Sequence, residues 1–66
     1  MLIKINGQPA AVADGLSLQT LISTRGLGDK AVIVELNGTL VPRGSWDSIQ
    51  LKPDDCLEII RLIGGG

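Results

Sequence analysis

The chain has 66 residues and a formal net charge of −1, with acidic and basic side chains interspersed along it. A chain of this length forms one domain at most, and such a domain buries only about 60% of the surface that its unfolded form exposes. One cysteine and no histidine exclude an internal disulfide and a zinc site built from ordinary ligands. Aliphatic packing must therefore hold the fold together, and 44% of the residues are hydrophobic.

The distribution of charge and apolar residues also limits the partners. No cluster of lysine or arginine predicts nucleic-acid binding. The longest apolar runs are far too short to span a membrane, and the first residues lack the pattern of a signal peptide. A free cysteine without an export signal is typical of a reducing compartment. We therefore expect a cytoplasmic protein that binds neither nucleic acid nor membrane.

The first elements along the chain predict a β-hairpin. Residues 1–5 alternate in the manner of a strand, and Asn6-Gly7 is a strong turn signal, because a type I′ turn needs a positive φ at both central positions. The returning strand contains Pro9, which has no N–H to donate. We therefore place that strand at an edge of the sheet.

A single short helix is predicted next, over about two turns. Ser17 is a good N-cap and Gly26 stands where a C′ glycine would end the helix. Leu18, Leu21 and Ile22 recur at helical spacing and form an apolar stripe that can cover a sheet.

Three more strands are expected in the second half of the chain. "AVIVEL" is strongly β-like and ends in Asn37-Gly38, "TLVP" continues as a short strand, and "CLEIIRLI" is the last strand. An irregular segment separates the last two, with one helical turn around residues 45–48. The order β-β-α-β-β-β predicts an α+β domain over residues 1–63, in which one helix covers a mixed sheet of four to five strands. This is the β-grasp (ubiquitin-like) pattern, followed by a flexible glycine tail over residues 64–66.

No side chain is well suited to catalysis. Without histidine the chain lacks an ordinary general base near neutral pH, and Cys56 has no histidine to activate it. We expect Cys56 to be a small hydrophobic residue in or beside the core. Asp54 and Asp55 follow Pro53 in a predicted solvated turn, and they lack the spacing of a calcium loop. We therefore expect neither an autonomous enzyme nor a metal site.

The last strand is unusual because both of its faces carry apolar residues. Leu57, Ile59 and Ile63 share one parity, and Ile60 and Leu62 share the other. One helix can cover only one face of the sheet. If the odd-numbered set faces the helix, Ile60 and Leu62 lie on the open face and form a patch for a partner.

The glycine tail predicts a substrate arm. Three glycines extend up to about 10 Å, and without side chains they can enter a narrow channel. The reactive group at the tip is the Gly66 α-carboxylate. An enzyme that supplies ATP could convert it to an acyl-adenylate, which a sulfur or nitrogen nucleophile would attack.

Three sequence segments resemble a known family. They are "VIVELNG" followed by "LVPRGSW", "LKPDDCLEII", and the terminal "IGGG". Together they are similar to the ubiquitin-like sulfur carriers of the ThiS/MoaD family, and most closely to the ThiS family of thiamine biosynthesis. The resemblance covers the whole chain. It departs from the family at Pro53-Asp54-Asp55, where the usual turn is Asp-Gly-Asp, and at Cys56.

The resemblance implies a route for the chain end. An E1-like adenylyltransferase, ThiF, would adenylate Gly66 with Mg·ATP, so that the carrier itself binds no cofactor. A sulfur relay from a cysteine desulfurase would give a thiocarboxylate, and thiazole synthase, ThiG, would take the sulfur into the thiazole ring. Gly64 and Gly65 would line the partners' channels, and Ile60, Leu62 and Ile63 would contribute to docking.

Other functions remain open from the sequence. A sibling carrier for molybdopterin or for amino-acid synthesis would share the tail chemistry and differ in the acceptor. A ubiquitin-like modifier would form isopeptide bonds to lysines instead. A β-grasp interaction module with an inert tail is a further alternative.

Overall fold

The structure is a computed structural model that describes residues 1–63. Five strands and one α-helix follow the predicted order, and a 3₁₀ helix precedes the last strand. The elements are β1 (Leu2–Ile5), β2 (Gln8–Ala11), α1 (Leu18–Thr24), β3 (Val32–Leu36), β4 (Thr39–Leu40), the 3₁₀ helix (Arg43–Ser48) and β5 (Cys56–Arg61). The predicted α+β fold is confirmed, and the helical turn expected near residues 45–48 begins two residues earlier.

The sheet is mixed, and its strand order is β2-β1-β5-β3-β4. β1 pairs antiparallel with β2 and parallel with β5, while β3 pairs antiparallel with both β4 and β5. The last strand therefore occupies the centre of the sheet. β2, which contains Pro9, lies at an edge as predicted, where the missing N–H costs no ladder hydrogen bond.

Local sequence signals fix both ends of α1. The Ser17 hydroxyl accepts a hydrogen bond from the Thr20 N–H at 3.1 Å, which satisfies a free donor of the first turn. After the C-cap residue Arg25, Gly26 has a φ of 74°. That left-handed conformation ends the helix and favours glycine. Both predicted helix boundaries are confirmed.

The helix and the 3₁₀ helix cover one face of the sheet. The core comprises eleven buried side chains: Ile3, Ile5, Leu18, Leu21, Ile22, Val34, Val41, Trp46, Leu51, Leu57 and Ile59. Trp46, the only aromatic residue, is 1% exposed, and its Nε1 donates to the Val41 carbonyl at 3.1 Å. The indole is thus buried with its one donor satisfied.

Two Asn-Gly turns join the hairpins, and both have a positive φ at each central residue. The values are 51° and 81° at Asn6-Gly7 and 52° and 84° at Asn37-Gly38. The turn predictions are therefore confirmed. The asparagine side chains also bind β5. Asn6 exchanges two hydrogen bonds with the backbone of Ile59, and Asn37 accepts one from the Cys56 N–H at 2.9 Å.

Two expectations about the end of the chain were wrong, and the last strand is shorter than predicted. Asp55 is buried rather than solvated, because its carboxylate accepts hydrogen bonds from the Asn37 side chain and the Lys52 N–H. Cys56 is exposed rather than in the core, since it alternates with Leu57 along β5. The last strand was predicted to run to Ile63, but β5 ends at Arg61, and Ile63 beyond it is 89% exposed.

Candidate functional site

The sheet face opposite α1 is not covered by any described residue. Strand alternation and the register of the pairs place ten side chains there, because directly opposed residues share a face. We call this surface the open face, and its members are Leu2, Lys4, Pro9, Ala11, Ile33, Glu35, Leu40, Cys56, Glu58 and Ile60. The opposite parity of β1, β3 and β5 supplies the strand residues of the core.

Large apolar side chains are exposed on this surface. Leu2 and Leu40 are each 60% exposed and Ile60 is 51% exposed, while Leu62, directly after β5, is 49% exposed. Ile33 stands opposite Ile60 in the register and adds to the apolar area. Ile60 and Leu62 are thus exposed as the alternation predicted. Their role in docking remains a prediction, as does that of Ile63.

The chain leaves the sheet at a defined point. The Leu62 N–H donates to the Ala31 carbonyl at 2.8 Å, which continues the pairing of β5 with β3 one residue beyond the strand. Ile63 has no such hydrogen bond and is the last described residue. The predicted reactive residue Gly66 and the tail residues Gly64 and Gly65 lie outside the described residues.

One arginine supports this exit point, a role that the sequence analysis did not predict. The Arg43 guanidinium lies 4.5 Å from the centre of the Trp46 ring and donates to the carbonyls of Gly28, at 2.7 Å, and Lys30. It thereby holds the loop between α1 and β3, and Ala31 at the end of that loop accepts the Leu62 hydrogen bond. The Pro-Arg-x-x-Trp segment was the available signal, but its partners lie 13 and 15 residues away.

The described residues lack two features that many binding sites have. Residues 1–63 form no pocket, and no three of their Cys, Asp and Glu side chains gather where they could hold a metal ion. No helix in this part of the chain has the length and apolar character needed to cross a membrane. What residues 1–63 offer is a surface and a defined point at which the chain leaves the sheet.

A single helix over a five-stranded mixed sheet, with the last strand central, defines a ubiquitin-like β-grasp protein. The ThiS family model matches residues 3–66. The chain therefore belongs to the ThiS family, as the resemblance in the sequence indicated.

Known relatives agree with this assignment over nearly the whole chain. The crystal structure of the thiamine biosynthesis protein ThiS from Geobacter metallireducens superposes with a TM-score of 0.85 and 33% identity, covering 100% of both chains. The sulfur carrier protein ThiS of Bacillus subtilis is 29% identical over 66 residues, which are 98% of this chain and 100% of that protein.

A second kind of relative is much longer. The thiazole synthase of Magnetococcus marinus is 36% identical over 66 residues, which are 100% of this chain and 20% of that enzyme. This chain thus spans about a fifth of the length of that relative. A segment similar to the whole of this chain is part of an enzyme that is named for making the thiazole ring.

Proposed function

We propose that this chain is the sulfur carrier of thiamine biosynthesis, and that its Gly66 carboxylate carries the sulfur as a thiocarboxylate. Membership of the ThiS family is the observation that carries the proposal. The similarity to part of a thiazole synthase favours the thiazole ring as the destination of the sulfur over molybdopterin or an amino acid. Two proteins that act on one another are often joined in a single chain elsewhere.

The chemistry begins with activation of the carboxylate. A Gly66 oxygen attacks the α-phosphorus of ATP in an E1-like adenylyltransferase (ThiF), and pyrophosphate leaves. The Mg·ATP belongs to that enzyme, and the carrier binds no cofactor of its own. The resulting acyl-adenylate is a mixed anhydride, in which AMP is a far better leaving group than oxide.

Sulfur then replaces AMP. The terminal sulfur of a persulfide, formed by a cysteine desulfurase, attacks the carbonyl carbon, and AMP leaves. A thiol cleaves the acyl disulfide and releases the thiocarboxylate on Gly66. Thiazole synthase (ThiG) takes up the sulfur, and the carrier returns as the carboxylate. The carrier is therefore a co-substrate of cytoplasmic enzymes and not an enzyme.

The folded domain serves to present the chain end. Side-chain catalysis by the carrier is not required, because each partner brings its own nucleotide, persulfide or ring precursor. Gly64 and Gly65 reach into the partners' active sites, and their lack of side chains permits close approach of the backbone. Ile60, Leu62 and Ile63 dock against the partners, since their exposed apolar area lies directly before the tail.

Intact-protein mass spectrometry tests this proposal. The purified carrier is incubated with ThiF, ATP, cysteine, a desulfurase and a thiol, and we expect a mass increase equal to one oxygen-to-sulfur exchange at the C-terminus. The reaction without ATP is the control and should leave the mass unchanged. Adding ThiG and its ring precursor should return the mass to its starting value. A carrier that stays unmodified under conditions that convert the Bacillus subtilis ThiS protein would refute the proposal.

A further inference from the structure

Two glutamates face each other at the middle of the open face. Glu35 on β3 and Glu58 on β5 are direct partners in the antiparallel register. Side chains at such positions have Cβ atoms about 4.5–5.5 Å apart, and like charges there destabilise the sheet. The free carrier therefore contains an unfavourable pair at the centre of its exposed surface.

No lysine or arginine among the described residues forms an ion pair with either glutamate. The one ion pair within residues 1–63 joins the N-terminal ammonium to Asp14, at 3.2 Å. Lys4 lies on the same face, but it stands opposite Cys56 in the register and makes no ion pair with either glutamate. Glu58 is exposed and Glu35 is half-buried, and neither has an ion-pair partner among the described residues.

Apolar side chains surround the pair. Leu40 is the direct partner of Glu35 on its other side, and the next pair of β3 and β5 on the same face is Ile33 with Ile60. Leu40 and Ile60 are 60% and 51% exposed. A partner protein can recognise such a carboxylate pair with a lysine or arginine that lies within an apolar surface of its own. The contact between the two apolar surfaces excludes water and so strengthens the ionic contact.

We propose that the open face docks a protein surface that presents an arginine or lysine between Glu35 and Glu58 and covers Leu40 and Ile60 with apolar side chains. This inference rests on the proposed function, since it names the chemistry of the partner surface. Charge repulsion opposes a second copy of the chain on this face, because face-to-face pairing in register would bring four carboxylates together. The pair thus makes the free carrier less stable and the complex more specific.

The test uses Glu35→Gln and Glu58→Gln, which keep the size of each side chain and remove its charge. The probes are the adenylating enzyme and the thiazole synthase encoded in the same genome, with affinity measured by calorimetry. We expect each variant to raise the midpoint of thermal unfolding by about 1–4 °C, as relief of a like-charge pair does in a domain of this size. We expect the same variants to bind at least one probe about tenfold more weakly.

Asp47→Asn is the matched control, because Asp47 is exposed on the 3₁₀ helix and lies away from the open face. It should leave the affinity for both probes unchanged. Unchanged affinity of both glutamate variants would overturn the proposal, and so would a lowered unfolding midpoint. Sedimentation velocity tests the other occupant: a dimer that Glu35→Gln strengthens would place a second copy on this face and would also overturn it.

Thiocarboxylate formation on the wild-type chain separates this inference from the proposed function. If the wild type is converted and the glutamate variants bind as tightly as it does, the docking inference alone fails. If the wild type binds a probe through the glutamates but is never converted, the docking inference stands and the proposed function fails.

Discussion

At the scale of single residues, the turn asparagines have two functions. Asn6 adopts a positive φ that shapes its hairpin, and its side-chain amide also pairs with the backbone of Ile59. The amide thus takes the place of a backbone hydrogen-bonding partner just beyond the end of β1. Asn37 does the same at the other side of β5, where it binds Cys56 and Asp55. Both sides of the central strand are secured by turn side chains.

Replacing Asn6 should show how much its side-chain hydrogen bonds contribute to the free energy of unfolding. We expect Asn6→Ala to lower the free energy of unfolding by about 2 kcal/mol, because it removes two hydrogen bonds to Ile59 and leaves a Cβ residue at positive φ. Chemical denaturation gives the difference. Asn6→Gly relieves the backbone cost and should lose about 1 kcal/mol. Equal stability of Asn6→Gly and wild type would show that the amide contacts contribute nothing.

At the scale of elements, the important contact runs from the 3₁₀ helix to the end of β5. Arg43 stacks on Trp46 and holds the carbonyls of Gly28 and Lys30, and the same loop ends at Ala31, which accepts the Leu62 hydrogen bond. Elements far apart in sequence therefore cooperate to fix where the chain leaves the sheet.

Arg43→Ala should loosen that exit point. We expect the free energy of unfolding to fall by about 1–2 kcal/mol, because two charge-assisted hydrogen bonds and the stacking on Trp46 are lost at an exposed site. Amide exchange at Leu62 should become about tenfold faster, which corresponds to about 1.4 kcal/mol of lost local protection. NMR-detected hydrogen exchange measures it.

Two further substitutions serve as controls for Arg43. Arg43→Lys keeps the charge but cannot present the planar guanidinium to both carbonyls, so it should recover only part of the protection. Arg25→Ala removes another exposed arginine, at the end of α1, that forms no side-chain hydrogen bond within residues 1–63. It should leave exchange at Leu62 unchanged. Equal exchange in Arg43→Ala and wild type would refute the proposed support.

At the scale of the whole molecule, the folded domain and the chain end should be separable. Deleting Gly66 should leave the unfolding midpoint unchanged, because every core residue lies at or before Ile59. It should nevertheless lower ATP–pyrophosphate exchange by ThiF about 100-fold or more, since the carboxylate no longer reaches the α-phosphorus. Calorimetry and an exchange assay measure the two quantities. Unfolding of the shortened chain would mean that the tail is part of the fold.

The sequence predicted those features that neighbouring residues decide. The Asn-Gly turns, the Ser17 cap and the Gly26 helix end depend on a few adjacent φ angles and hydrogen bonds, and each is where it was expected. The alternation of side chains along β5 placed Ile60 on the open face. The same alternation also places Cys56 on that face, because the two residues share one parity. At this position the alternation of the strand decides the exposure of Cys56, and the general preference of cysteine for burial does not.

Long-range contacts were not predictable from the sequence. Asp55 is buried because Asn37, 18 residues earlier, provides a donor for its carboxylate. The opposition of Glu35 and Glu58 depends on the register between β3 and β5, which no local signal specifies. Apart from Ile60, the residues of the open face could therefore be assigned only once the strand pairing was known.

The central position of β5 also makes the two halves of the sheet depend on one strand. The β1–β2 and β3–β4 hairpins have no pairing with each other and share one sheet only through β5. A change that disrupts β5 within residues 56–61 would break its pairing with both β1 and β3 at once. The unfolded chain would then be open to proteolysis. The stability of the whole sheet, and with it the position at which the chain leaves the sheet, therefore depends on this one strand.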